Sequence, residues 1–212
     1  MFSGQIEFET SAPQNACQRF EYQAHDLQLK APKVEDATEL FALVEANRAR
    51  LRQWLPWLDN NQTVEHSRQF IQQMHERASL NRGFAALIFH TGKLAGIIDL
   101  HGLNWHNRTA SIGYWLNKTD EGKGTMTRSA AAIIHYAFKE LELNRIEVLC
   151  AVSNSRSQAI PKRLGFTHEG TLRQAECLYG QFVDHDLYAL LKADWASPKT
   201  DWASPKTDAA QP

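Results

Sequence analysis

The sequence predicts a mixed fold of the α+β (α/β) class, built on one open sheet, and three observations predict it. Between 83 and 117 three β-rich runs, GFAALIFH, KLAGIIDLHGL and TASIGYWLN, are separated by the turn-like HTGK and NWHNR. Apolar residues then recur at helical spacing from 124 to about 141, and another apolar strand follows at 145–152. A meander feeding a strand–helix–strand crossover places helices against a mixed sheet.

The elements follow in chain order. Residues 1–24 are polar, poorly periodic and unassigned, an N-terminal extension. From His25 the chain alternates, Leu27 and Leu29 sharing a face, and the strand closes at Pro32. A helix is expected over 34–50, with Leu40, Phe41, Val44 and Leu51 on one stripe, and Pro56 in RQWLPWLDNN keeps it from continuing. Thr63 opens a second helix to about 80, with Phe70, Ile71 and Met74 on its buried side. The helix from Gly124 carries Met126, Ala130, Ile133, Ile134, Ala137 and Leu141. SNSRSQAIPKRLGF reads as a short helix and its exit, and two strands flank the Tyr179-Gly180 turn. The heptad DWASPKT at 194–200 recurs at 201–207, so 194–212 is expected to be a disordered tail and 25–193 the folded domain.

Composition narrows the function classes. An apolar fraction of 43% over 212 residues suits one folded domain with a substantial core. A net charge of −1 gives no support for nucleic-acid binding. No apolar run approaches the ~18 residues of a membrane span, and MFSGQIEFET lacks the basic and apolar regions of a signal peptide. Cys17, Cys150 and Cys177 share no short spacing, which fits reduced thiols in a cytoplasmic protein. His101 with His106, and Asp184-His185-Asp186, supply no four-ligand set, so no metal is expected.

The chemistry is concentrated in IGYWLNKTDEGKGTMTRSAAAIIHYAF. A strand ends near Leu116, a polar loop holds Gly122 and Gly124, and a helix begins at once, leaving unpaired backbone N–H groups at its positive end. Glycine there lets an anion approach the backbone, although a glycine-bearing turn with no ligand shares the pattern. A Walker A loop is excluded because Asn117 and Gly124 stand where a glycine and a Ser or Thr are needed, and the Rossmann spacing is absent.

Glu121-Gly122-Lys123-Gly124-Thr125-Met126 resembles the Q/R-x-x-G-x-G/A acetyl-CoA signature of the GNAT superfamily. IGYWL followed by GKGTMT, with RQWLPWLDNN, NSRSQAIPKRLGFTHEG and AECLYGQFVDHDLYALL, is similar to the Rim-type ribosomal-protein N-terminal acetyltransferases over roughly 25–192. The resemblance implies a splayed mixed sheet with acetyl-CoA wedged between two parallel strands. It implies pantetheine contacts from the backbones of Trp115 and Leu116, and pyrophosphate contacts from Gly122, Gly124 and Thr125. Lys123 could add charge. Two positions depart from the signature: Glu121, whose carboxylate is expected to turn to solvent, and Met126.

The resemblance also assigns acid and base. Pro161 stands where many relatives carry an acidic tyrosine, which leaves Ser157 as the acid and Asn154 as its positioning residue; both also suit the start of a helix. Glu176 matches the base, with Glu169 as runner-up and an ordinary strand glutamate as the alternative. Cys150 and Cys177 raise an acetyl-cysteine route, ranked below direct transfer in a ternary complex, since buried cysteines mostly fill space. Trp54, Trp57 and Asn60 would border the acceptor, or else pack locally. The expected acceptor is a protein N-terminus, ribosomal in the first instance. The rivals are a small-molecule amine or antibiotic acetyltransferase and a non-catalytic acyl-CoA-binding regulator. A homodimer remains open.

Overall fold

The computed structural model describes residues 16–196. Eight strands form one sheet in the order β1-β2-β3-β4-β5-β6-β8-β7. They are β1 (Tyr22–Ala24), β2 (Leu27–Lys30), β3 (Phe84–His90), β4 (Lys93–Asn104), β5 (Thr109–Leu116), β6 (Arg145–Ala151), β7 (Thr167–Leu178) and β8 (Gln181–Leu191). The helices are α1 (Ala37–Leu51), α2 (Val64–Ser79), α3 (Thr125–Lys139) and α4 (Ser155–Arg163). Every junction is antiparallel except β5–β6, where α3 makes the crossover.

Helices cover the two faces unequally. On one face α1 and α2 bring Leu40, Val44, Leu51 and Ile71 against Leu87, Phe89, Ile97 and Trp115. On the other, α3 lays Ile133, Ile134 and Phe138 over a cluster that includes Ile88, Ile98, Leu100, Ile112, Ile146 and Val148. Each such side chain contributes about 1.5–3 kcal/mol when fully buried. Covered on both sides, β3 is buried at all seven positions, which explains why FAALIFH is a continuous apolar run rather than an alternating one. The α1–α2 face of β6, β7 and β8 carries no helix, and Leu149 and Leu172 are exposed there.

Local chemistry sets the ends. The Thr63 side chain accepts from the His66 N–H at 3.3 Å and starts α2. α1 stops at Leu51, and Arg48 reaches forward to the carbonyls of Leu58 and Asn61, fixing the segment that carries Trp54 and Trp57. The packed unit exceeds the expected 25–193 at both ends. Cys17, Phe20 and Tyr22 are core residues, and Phe20 stacks on Phe84 at 4.9 Å. Trp195 lies 6.4 Å from Phe138, so the first repeat begins inside the packed chain. The remainder of the expected tail, 197–212, and residues 1–15 lie outside the described residues.

Candidate active site

β5 and β6 pair over only three positions, Thr109–Arg145, Ala110–Ile146 and Ser111–Glu147. Beyond them β5 stays with β4 as far as Leu116 and β6 stays with β8 as far as Ala151, so a gap opens between the central strands. Its backbone polarity follows from strand alternation. The Asn117 N–H donates to the Ala95 carbonyl at 2.6 Å, so Trp115, two residues back, also turns its backbone toward β4. The expectation that both Trp115 and Leu116 face the gap is corrected: the groups of Leu116 and Tyr114 do. The Leu116 carbonyl accepts from the Arg50 guanidinium.

The loop after β5 is held from beneath. Buried Asn47 of α1 donates to Asn117 Oδ1 at 3.0 Å and accepts from the Lys118 N–H at 3.1 Å. Gly122 and Gly124 have φ of 75° and 76°, the left-handed region that favours glycine. Gly124 is the N-cap of α3 and offers no side-chain cap, which leaves the first-turn N–H groups without a local acceptor. Thr125 Oγ1 is buried there without a hydrogen-bond partner. These features fit a phosphate group. α4 differs: Asn154 Oδ1 accepts from the Ser157 N–H at 3.1 Å and caps it. The Met126 side chain is in the core, so only its backbone can serve a ligand, and Lys123 is a rim lysine 3.5 Å from Asp120.

Glu121 does not turn to solvent. Its carboxylate accepts from Arg50 of α1 at 2.6 Å and from Arg156 of α4 at 2.8 Å. Two guanidiniums offset the charge that would otherwise repel an anion, so a glutamate is compatible with this position.

Ser157 lies beneath the gap, its Oγ 3.2 Å from Cys150 Sγ and 3.5 Å from Tyr114 Oη. Burial pushes the Cys150 thiol up, against the opposing hydrogen bonds from Ser157 and Tyr114, which disfavours a thiolate nucleophile. Burial, with the neighbouring Cys150 adding to it, also keeps the Tyr114 hydroxyl neutral far above its usual range. Cys177, grouped with Cys150 as a space-filling thiol, is exposed.

The β7–β8 hairpin delivers the base candidate. Its register shifts between Leu172 and Glu176, where Gln174 adopts φ 53°; such a bulge bends a strand. Beyond it the tip reaches the α1–α2 segment: Tyr179 donates to the Leu55 carbonyl at 2.7 Å, and Arg52 sits 3.7 Å over the Tyr179 ring. Glu176 Oε2 is 3.3 Å from His185 Nε2, and His185 lies opposite Ala151 at the gap end of β6. Trp54 is half-buried, and Trp57 and Asn60 are exposed on the segment that the tip touches. Glu169 is not brought here. It binds Arg145 at 2.8 and 2.6 Å beside the closed end of the β5–β6 junction, and Arg145 holds its carboxyl below the usual value.

The structure thus adds Arg50, Tyr114, Tyr179 and His185 to the residues read from sequence. Arg50, Tyr114 and Tyr179 act through contacts between segments distant in the chain, and His185 meets Glu176 across the β7–β8 hairpin, contacts that periodicity does not encode. Among the described residues no group of three or more His, Cys, Asp or Glu could hold a metal, and no helix is long and apolar enough to cross a membrane.

The chain is similar to known proteins over most of its length. Residues 26–167 match the model of the acetyltransferase (GNAT) domain. The chain is 41% identical over 177 residues, 82% of its length and 94% of the relative's, to a Bacillus subtilis protein provisionally described as the ribosomal N-acetyltransferase YdaF. It is 33% identical over 171 residues to the ribosomal-protein-serine acetyltransferase of Escherichia coli, covering 78% of this chain and 93% of that one. Among solved structures, the ribosomal alpha-N-protein acetyltransferase RimL in complex with coenzyme A superposes with a TM-score of 0.78 at 29% identity, covering 81% of this chain and 98% of that one.

Proposed function

The chain belongs to the GNAT acetyltransferase family, and from that premise we propose that it moves acetyl from acetyl-CoA directly to the N-terminal amine of a protein, a ribosomal protein in the first instance. The observation that carries this reading is the gap between β5 and β6. Its open end is flanked by an uncapped, glycine-led helix start that follows β5 and by Glu176 with His185 beside β6.

Gly122, Gly124 and Thr125 cradle the diphosphate of acetyl-CoA, while Leu116 and Tyr114 line its pantetheine arm. Glu176 takes the proton that the acceptor ammonium must lose before it can attack. The amine nitrogen bonds to the thioester carbonyl carbon, the carbon–sulfur bond breaks, and the second proton, shed by the nitrogen as the amide forms, passes by way of Ser157 to the departing thiolate. The thiol of Cys150 is held protonated by burial, which favours direct transfer over an acetyl-cysteine route. The helix-free face of β6–β8, with Leu149 and Leu172 exposed, leaves room for an extended peptide beside the gap and favours a peptide over a small amine.

Mass spectrometry tests the assignment after incubation with acetyl-CoA and a panel of ribosomal N-terminal peptides and small amines. Acetylation of the peptide α-amines is the expected result. Acetylation confined to small amines would replace the acceptor, and no transfer to any member would favour a binding role without turnover.

A further inference from the structure

Arg156 stands in the first turn of α4, next to Ser157, and so on the β6 side of the gap. Its guanidinium crosses to the β5 side, where Nη1 donates to Glu121 Oε2 at 2.8 Å. Glu121 directly precedes Gly122, the first glycine of the diphosphate cradle. The ion pair therefore lies across the mouth of the gap, beside the positions that would hold the phosphates. Other cations near this loop are committed elsewhere. Arg50 gives one terminal nitrogen to Glu121 Oε1 at 2.6 Å and the other to Asn47 and the Leu116 carbonyl. Lys123 lies 3.5 Å from Asp120, and Arg163 reaches Thr127 Oγ1 at 3.5 Å. Lys118 is exposed at the start of the loop.

Arg156 differs from these. Its side chain is 75% exposed, and among the described residues Glu121 is its one side-chain partner, so Nε and Nη2 have donors to spare. An exposed ion pair is held weakly, whereas a diphosphate presents several charged oxygens that suit the fork of a guanidinium. We propose that Arg156 is a cofactor-binding residue: with acetyl-CoA in the gap its spare donors take the diphosphate, and Glu121, braced by Arg50, keeps the guanidinium at that place. The carboxylate that departs from the glycine-loop signature then serves the anion through the cation it recruits. The proposal rests on the acetyl-CoA reading of the gap and adds to it a residue that the glycine loop does not contain.

Calorimetry with acetyl-CoA, and with the analogue that lacks only the 3′-phosphate, tests it on the wild-type protein, Arg156→Gln and Lys139→Gln. Arg156→Gln should raise the Kd on the order of tenfold, the scale of one charge-assisted hydrogen bond. The factor should be the same for both ligands, since both keep the diphosphate. Lys139 is exposed at the opposite end of α3, about 20 Å from the cradle at the helical rise, so its loss removes the same charge and should leave Kd unchanged. In a Glu121→Gln background the Arg156→Gln penalty should shrink, because nothing then holds the guanidinium in place. An unchanged Kd in Arg156→Gln, or an equal rise in Lys139→Gln, would make Arg156 an ordinary surface ion pair and overturn the proposal. A penalty confined to acetyl-CoA would move Arg156 to the 3′-phosphate, and an undiminished penalty without Glu121 would remove the tether; either overturns the assignment as stated. Wild-type protein that binds neither ligand would instead overturn the acetyl-CoA reading beneath it, a distinct result.

Discussion

The Tyr114 hydroxyl donates at 2.9 Å to the Ser157 carbonyl, the group that Pro161, four residues on in α4 and without an N–H, leaves unsatisfied. β5 thereby supplies the bond that α4 cannot make for itself, and it does so beside the acid candidate. Tyr114→Phe should cost about 1–3 kcal/mol, the penalty for a buried carbonyl without a donor. Pro161→Ala returns the missing N–H, so in that background the Tyr114→Phe cost should shrink well below its single-variant value. Urea unfolding of the two single variants and the double variant measures this. Additive losses would show that the two residues are independent.

Glu176→Gln should lower turnover at least about tenfold at neutral pH, a cautious floor for a general base, while acetyl-CoA affinity stays near wild type. The deficit should narrow as pH rises and more of the acceptor amine is already neutral. Ser157→Ala should also act on turnover, but less, since water can replace a hydroxyl donor. Steady-state rates across pH, with the chemical step shown to be limiting, check both; an unchanged Glu176→Gln rate would make it an ordinary strand residue.

Gly124→Glu puts bulk and negative charge at the start of α3, at a φ of 76° that disfavours any side chain. Acetyl-CoA binding should be lost in calorimetry while circular dichroism shows the fold retained. Wild-type affinity in this variant would move the phosphates elsewhere.

Arg128 beside Asp26 holds its carboxyl well below the usual carboxylate range, with His90 adding to the effect. A depressed folded pKa gives stability that is present above the unfolded value, about 4, and lost as pH falls below it. Asp26→Asn should therefore lower Tm at pH 7, and its difference from wild type should close on acidification below about pH 4. A difference independent of pH would mean that packing, not charge, is responsible.

Trp195 packs on Phe138 although it belongs to the first copy of the repeated heptad. Truncation after Ala196 should leave Tm nearly unchanged. Truncation after Asp194 should lower it, because an indole leaves the core edge. Differential scanning calorimetry separates the two; equal Tm values would show that the indole contributes nothing.

Periodicity and turn signals made seven of the eight strands, the four helices and the crossover legible, since burial on one face or two repeats every two or 3.6 residues, whereas β1 falls in the unassigned residues 1–24. The glycine loop was legible because a strand-to-helix turn has few sequence solutions. What sequence left open is how side chains meet across the fold. Tyr179 and Leu55 are 124 residues apart and meet at the tip of the β7–β8 hairpin, beyond the bulge at Gln174. Glu121 is expected to turn outward because a carboxylate close to a pyrophosphate is unfavourable; the guanidiniums that hold it inward, Arg50 and Arg156, come from helices before and after it in the chain. Trp115 and Leu116 were treated alike because the direction of a backbone group depends on ladder phase, which the Asn117–Ala95 bond reveals and composition does not.

The short β5–β6 junction has a consequence for how the native chain breathes. Three residue pairs join the five-stranded part of the sheet to the three-stranded part, whereas β4–β5 and β6–β8 each share seven. Parting the sheet there breaks few backbone bonds, and the main splint across the seam is α3, whose apolar side chains cluster with Ile112 of β5 and Ile146 of β6. The two parts should then behave as separate cooperative units in amide hydrogen exchange. Amides of β3 and β4 should be the slowest to exchange, those of Tyr114 and Leu116 at the open seam much faster, and a molecule wedged into the seam should slow these and join the two units into one.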